Sequence, residues 1–125
     1  MAYNKKIFII DDEKDFRQLL VDKFIASNFE VFDYDNGDDC VQYIDVEKPD
    51  IVLLDIDMPG KNGIEVLQEI RNTNWGSDVP VFMLTNMNDE NLVAEAVALG
   101  SFDYFIKSDW QIGDIVKKVK DRLGA

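Results

Sequence analysis

The stretch Ile51–Gly63, IVLLDIDMPGKNG, restricts the possible folds more than any other part of the chain. Ile51, Val52, Leu53 and Leu54 run without a polar interruption and are led by β-branched residues. A strand with one wet face would alternate, so an unbroken run suits a central strand of a parallel sheet, buried on both faces. The run stops at Asp55, a carboxylate placed where the chain leaves the core, and Asp57 follows two residues later. Met58-Pro59-Gly60 then breaks regular structure, Gly63 ends the loop, and Ile64, Leu67 and Ile70 start a helical stripe. A carboxylate at the tip of such a strand lies where open α/β sheets bind their ligands.

The remaining segments repeat this plan. Ile7–Ile10 reads as a short buried strand ending at Asp11-Asp12. A helical spacing follows at Phe16, Leu19, Leu20 and Phe24, with Asp12 as candidate N-cap. Phe29–Tyr34 alternates apolar and acidic residues, as an edge strand does. Asn36-Gly37 is the next turn, and Cys40, Val41 and Ile44 form a second helical face that Pro49-Asp50 stops. After the third helix and a polar loop at Asn72–Asp78, Val79–Leu84 is a fourth strand, with Pro80 near its start and Thr85 closing it. Asn88–Leu99 is a helix expected to face Leu92, Val93, Ala96 and Val97 inward, with Gly100 as its stop. Phe102–Ile106 is a fifth strand closed by Lys107, and Ile112, Ile115, Val116, Val119 and Leu123 mark a final amphipathic helix. Five strands alternating with five helices predict a doubly wound α/β fold, a parallel sheet covered on both faces. Right-handed crossovers bring all the strand C-termini to one edge.

Composition narrows the chemistry. A chain of 125 residues holds one domain and leaves no room for a second. A formal net charge of −12 argues against nucleic acid as a partner. There is no histidine, which excludes imidazole metal sites and histidine acid–base catalysis. Cys40 is the only cysteine, so no intrachain disulfide forms and a reducing cytoplasm is expected. Neither a signal peptide nor a membrane-spanning run is legible, and no membrane partner is expected.

At the expected strand ends stand Asp11 and Asp12, Asp55, Thr85, and Lys107. Each alone has an ordinary explanation: an N-cap, a turn acid, a strand residue, a surface lysine. Together they form a site. Carboxylates ~4 Å apart repel by on the order of 4 kcal/mol at an effective dielectric of 20, so the cluster calls for a cation. All-oxygen ligands select a hard ion, Mg²⁺ or Mn²⁺. A carboxylate beside such an ion and a lysine is a nucleophile suited to phosphorus, with the two cationic groups neutralising phosphoryl oxygens.

From IFIIDDE through LLDIDMPGKNG and VFMLTN to DYFIKS, the chain resembles the receiver domains of two-component response regulators. The resemblance implies the strand order 2-1-3-4-5 and a stand-alone receiver over residues 1–125, without an output domain. It implies that Asp55 accepts a phosphoryl group from a sensor histidine kinase or phosphotransfer protein. Asp12 and Asp55 would hold Mg²⁺ with the backbone carbonyl of Asp57, and Asp11 would act mainly through water. Lys107 would contact the phosphoryl group, while Thr85 and Tyr104 would form a conformational switch, read by a partner protein on the fourth helix, fifth strand and fifth helix. A monomer is expected, with dimerisation on phosphorylation as the alternative. Slow Mg²⁺-dependent autodephosphorylation is implied too, with Asp57 and Met87 at positions that tune it.

Two features depart from the family. Ser108 follows Lys107 where proline is usual, which leaves the peptide bond there cis or trans. Asn86 follows Thr85 where a smaller residue is common. Other classes fit less well. Asp55-Ile56-Asp57 looks like the nucleophile pair of haloacid dehalogenase-type phosphatases, but that family carries it on the first strand. A flavodoxin-like carrier would not line its phosphate loop with Asp-Asp-Glu-Lys-Asp. A scaffold that is never phosphorylated would have no need of the full acid set.

Overall fold

The computed structural model describes residues 5–86, 90–101 and 103–124. Five parallel strands form one sheet: β1 Lys6–Ile10, β2 Glu30–Tyr34, β3 Ile51–Asp55, β4 Val81–Thr85 and β5 Asp103–Ile106. Their order is β2-β1-β3-β4-β5, as expected from the sequence. The helices are α1 Lys14–Ala26, α2 Gly37–Val41, α3 Ile44–Glu47, α4 Gly63–Arg71, α5 Glu90–Ala98 and α6 Ile112–Leu123.

Strand side chains alternate between two cores. Phe8, Ile10, Val52, Leu54, Val81 and Met83 pack with Ile44 of α3, Ile64, Leu67 and Ile70 of α4, and Ala96 of α5. Ile7, Ile9, Ile51, Leu53, Phe82, Leu84 and Phe105 pack on the other face against Leu20 and Phe24 of α1 and Ile115 and Val119 of α6. Every residue of β3 and β4 is buried, which accounts for their uninterrupted apolar runs.

Several local expectations are corrected. The second helix is two short ones. The Tyr43 amide bonds to Cys40 O three residues back, tightening the turn between them, and the Tyr43 ring stacks on Tyr34 with centroids 6.3 Å apart. Asn36 is the N-cap of α2, its side chain accepting from the Asp39 amide, so Asn36-Gly37 starts a helix. The residue at the N-cap of α1 is Glu13, not Asp12. Leu19 and Val97 face solvent, at 55% and 61% exposure, because α1 and α5 each lie on the sheet with a narrow stripe. Within Asn72–Asp78, Trp75–Ser77 forms a 3₁₀ turn. Asn88 and Phe102, expected to start a helix and a strand, and Met87, expected to tune dephosphorylation, lie outside the described residues.

Candidate phospho-acceptor site

Parallel pairing brings the C-terminal ends of β1, β3, β4 and β5 side by side, and with them the acids, Thr85 and Lys107. Asp11 and Asp55 are fully buried, and Thr85 and Lys107 nearly so. One carboxylate oxygen each from Asp11, Asp12 and Asp55 lies within 4.8 Å of the others. Lys107 Nζ is 2.7 Å from Asp11 Oδ2, 2.7 Å from Glu13 Oε1 and 3.5 Å from Asp55 Oδ2. The ammonium also sits over the Phe16 ring, 4.6 Å from its centroid. Asp55 Oδ1 accepts from the Asp57 amide at 3.1 Å, whereas Asp55 Oδ2 and Asp12 Oδ1 accept no hydrogen bond among the described residues.

The local sequence supplies the supports. Asp11 Oδ1 accepts from the Glu13 amide at 2.8 Å, which turns the chain from β1 into α1. Arg17 donates to the Asp11 carbonyl at 2.7 Å and pairs with Asp33 at 3.0 Å, tying that turn to β2. Behind Asp55, Asn62 and Glu65 form a reciprocal capping box at the start of α4. Gly63 packs so closely on the end of β3 that a Cβ there would overlap the Asp55 carbonyl and the Ile56 backbone. Asp57 Oδ2 accepts both the Thr85 hydroxyl at 2.9 Å and the Asn86 amide at 2.8 Å.

The electrostatics follow from burial. Burial, and then the charge of Asp11, push the Asp55 carboxyl up to about 8, against the opposing pull of Lys107. Burial likewise raises Asp11, opposed by its contact with Lys107. Burial disfavours the Lys107 ammonium, but the carboxylates of Asp11 and Glu13 outweigh it and hold its pKa above the ordinary value. Glu13 is lowered by Lys107 and then by Asn86.

Three crowded acids, Asp11 and Asp55 buried and Asp12 more open, with oxygens on Asp12 and Asp55 that accept no hydrogen bond among the described residues, fit a hard divalent cation in both donor type and charge. Lys107–Ser108 is trans, since no cis bond occurs among the described residues, and Lys107–Asp109 forms a 3₁₀ turn. Tyr104 lies within β5, opposite Met83 of β4, and is 36% exposed. Three features escaped the sequence reading: Glu13 as a partner of Lys107, the Asp57 side chain as an acceptor for Thr85, and Arg17 as a brace. The adjacency of Glu13 to the Asp-Asp pair was the only signal available for the first.

Fold and site together define a class: a flavodoxin-like α/β domain with an acidic, lysine-bearing mouth at the C-terminal edge of its sheet. The sequence model described as response regulator receiver domain matches residues 7–120. The chain belongs to that family, and receiver domains are signalling modules of two-component systems, phosphorylated on aspartate. Among solved structures, the chemotaxis protein CheY4 of Vibrio cholerae is similar in fold, with a TM-score of 0.88 at 20% identity over 95% of this chain and 98% of that one. A DNA-binding response regulator of the LuxR family from Staphylococcus aureus is 30% identical, with a TM-score of 0.83 over 94% of this chain and 97% of that one. The phosphorylated cyanobacterial phytochrome response regulator RcpA is 27% identical, with a TM-score of 0.83 over 95% of this chain and 93% of that one. Among the described residues no helix is long and apolar enough to cross a membrane.

Proposed function

We propose that Asp55 is the phospho-acceptor of this receiver domain and that Thr85, Tyr104 and Lys107 convert its phosphorylation into a signal. The observation that carries this reading is the setting of Asp55: fully buried at the end of β3, with one oxygen that accepts no hydrogen bond among the described residues and lies 3.5 Å from Lys107 Nζ. That oxygen attacks the phosphorus of a phosphohistidine on a sensor kinase or phosphotransfer protein. The new O–P bond forms as the P–N bond breaks, and the imidazole nitrogen leaves with the electron pair. Later attack by water on the phosphorus returns the carboxylate and inorganic phosphate.

Asp12 and Asp55 with the Asp57 carbonyl would hold Mg²⁺ or Mn²⁺, with Asp11 acting through water, and the ion would neutralise charge on the transferring oxygens. Lys107 supplies a fixed positive charge on the other side of the acids. Phosphorylation adds about −1.5 to −2 charge and three acceptor oxygens at Asp55. Thr85, now bonded to Asp57, gains a competing acceptor there. Movement of Thr85 toward the phosphoryl group makes room for Tyr104, which is 36% exposed here. Moving such a switch from 1:99 to 99:1 takes about 5.5 kcal/mol, within reach of a few charge-assisted hydrogen bonds. The output face comprises α5, β5 and α6, where Val97 and Tyr104 offer exposed apolar surface to a partner protein.

The test is intact mass after incubation with acetyl phosphate and Mg²⁺. One phosphoryl adduct is expected on the wild type, and none on Asp55→Asn or without Mg²⁺. An adduct that persists in Asp55→Asn would remove Asp55 from this role.

A further inference from the structure

Glu13 is an acid at the mouth of the site to which the proposed function assigns no part. It occupies the N-cap position of α1, yet its side chain makes no capping hydrogen bond. Instead Glu13 Oε1 accepts from Lys107 Nζ at 2.7 Å and from Asn86 Nδ2 at 3.0 Å. One oxygen thereby ties the loop after β1 to the loops after β4 and β5. Asn86 is held from below as well, through its amide to Asp57 Oδ2. Lys107, meanwhile, stands closer to Glu13 than to Asp55, at 2.7 Å against 3.5 Å.

We propose that Glu13 is a clasp: an anionic competitor for Lys107 that, bridged to Asn86, opposes a phosphoryl group at Asp55 and must release Lys107 when one arrives. This rests on Asp55 being the phospho-acceptor. Among the two carboxylates nearest Lys107, Asp11 is fully buried and cannot move into water, whereas the Glu13 side chain is 47% exposed. Swinging Glu13 outward returns its carboxylate to water, while Lys107, only 6% exposed, keeps Asp11 at 2.7 Å as its partner. A phosphoryl group competes for the same ammonium, and while Glu13 stays it also repels the incoming charge. Glu13 is thus a positioning residue that sets how readily Lys107 is available and how far the mouth opens. The side-chain amide of Asn86 is what lets the clasp span the opening.

Removing the charge of Glu13 has opposite consequences under the clasp and under a role in holding the cation. Calorimetric titration of the full chain with beryllofluoride, a phosphoryl mimic, in saturating Mg²⁺ compares wild type, Glu13→Gln and Glu13→Asp. A parallel titration uses Mg²⁺ alone. Glu13→Gln is expected to tighten beryllofluoride binding about fivefold, the scale of one charge-assisted contact released for the ligand, and to leave Mg²⁺ affinity within about twofold. Glu13→Asp, with the charge kept on a shorter arm, is expected to fall between. Unchanged or weaker beryllofluoride binding by Glu13→Gln would overturn the clasp, and a matching loss of Mg²⁺ affinity would instead assign Glu13 to the cation. A wild type that binds no beryllofluoride would overturn the phospho-acceptor reading itself, a result distinct from an unaltered Glu13→Gln.

Discussion

Thr85 donates its hydroxyl to Asp57 Oδ2 at 2.9 Å, joining the end of β4 to the loop after β3. The Asn86 amide donates to the same oxygen at 2.8 Å, so a single carboxylate oxygen holds two consecutive residues. Asp57 is therefore the resting partner of the threonine that the proposed switch has to move.

Replacing Asp57 with alanine removes both bonds. A hydrogen bond to a charged group contributes about 1.5–3 kcal/mol, so the protection of the Asn86 amide rests largely on this one acceptor. In Asp57→Ala, amide hydrogen exchange at Asn86 is expected to accelerate about tenfold or more, while strands β1 and β3 keep their protection. Exchange at Asn86 as slow as in wild type would show that Asp57 does not hold this loop.

The raised carboxyl of Asp55 predicts an inverted pH dependence in metal-free protein. Its folded value of about 8 lies above the ordinary value of 3.8, so between these limits the folded state binds more protons than the unfolded state. Stability contributed at Asp55 is then complete below about pH 4 and declines as pH rises toward about 8. Glu13 has the opposite sign, and its lowered value confines its effect to acid below its ordinary 4.5. Lys107 is raised above 10.5 and stays charged throughout the window. In EDTA, the melting temperature of wild type should fall from pH 5 to pH 8. Asp55→Asn should fall less and melt higher at pH 8, by about 3 °C or more. Parallel curves for the two proteins would be evidence against a destabilising charge at Asp55.

Divalent cation should reverse that loss. Binding to the folded state alone stabilises by about 2.7 kcal/mol at 100 times the dissociation constant. Thermal melts in 10 mM-order Mg²⁺ (about 10 mM) and in EDTA should therefore differ for wild type at pH 8 by several degrees, and the difference should shrink in Asp12→Asn. The binding hypothesis would be sunk by a wild-type melt indifferent to the ion.

Gly63 links backbone packing to the site. A side chain at Gly63 would meet the carbonyl of Asp55 and the Ile56 backbone, which are strand and loop atoms with little room to retreat. Gly63→Ala is expected to cost about 1–3 kcal/mol in chemical denaturation and to slow phosphorylation of Asp55 by acetyl phosphate. Gly113, with open space where its Cβ would lie, provides the control, and Gly113→Ala should do neither.

Much of this architecture was legible in the residues. The alternation of apolar runs with helical stripes located five strands, and Asp11, Asp55, Thr85 and Lys107 marked where four of them end. What the pattern could not show was orientation within a short amphipathic helix. In α5 the apolar positions include both Ala96, which is buried, and Val97, which is not. The break between α2 and α3 was also hidden, because Cys40 and Ile44 are spaced four apart as on one continuous helix, and both are in fact buried. Asp12 looked like an N-cap for the same local reason, although Glu13 takes that position, without a capping bond from its side chain.

By itself, the sequence determined that the central strands are buried on both faces, that the sheet is parallel, and that acids, a hydroxyl and a lysine share its C-terminal edge. These depend on local periodicity and on where each apolar run stops. Only the tertiary structure decided which carboxylate each group engages. Lys107 has Asp11, Asp55 and Glu13 within reach, and Thr85 turns to Asp57. Those choices depend on loop positions that the sheet order creates between residues as far apart as Asp11 and Lys107, and on competition among carboxylates of equal charge. Nothing in the identity of a single acid ranks one over another. Distance, burial and free lone pairs do, and these exist only once the chain has folded.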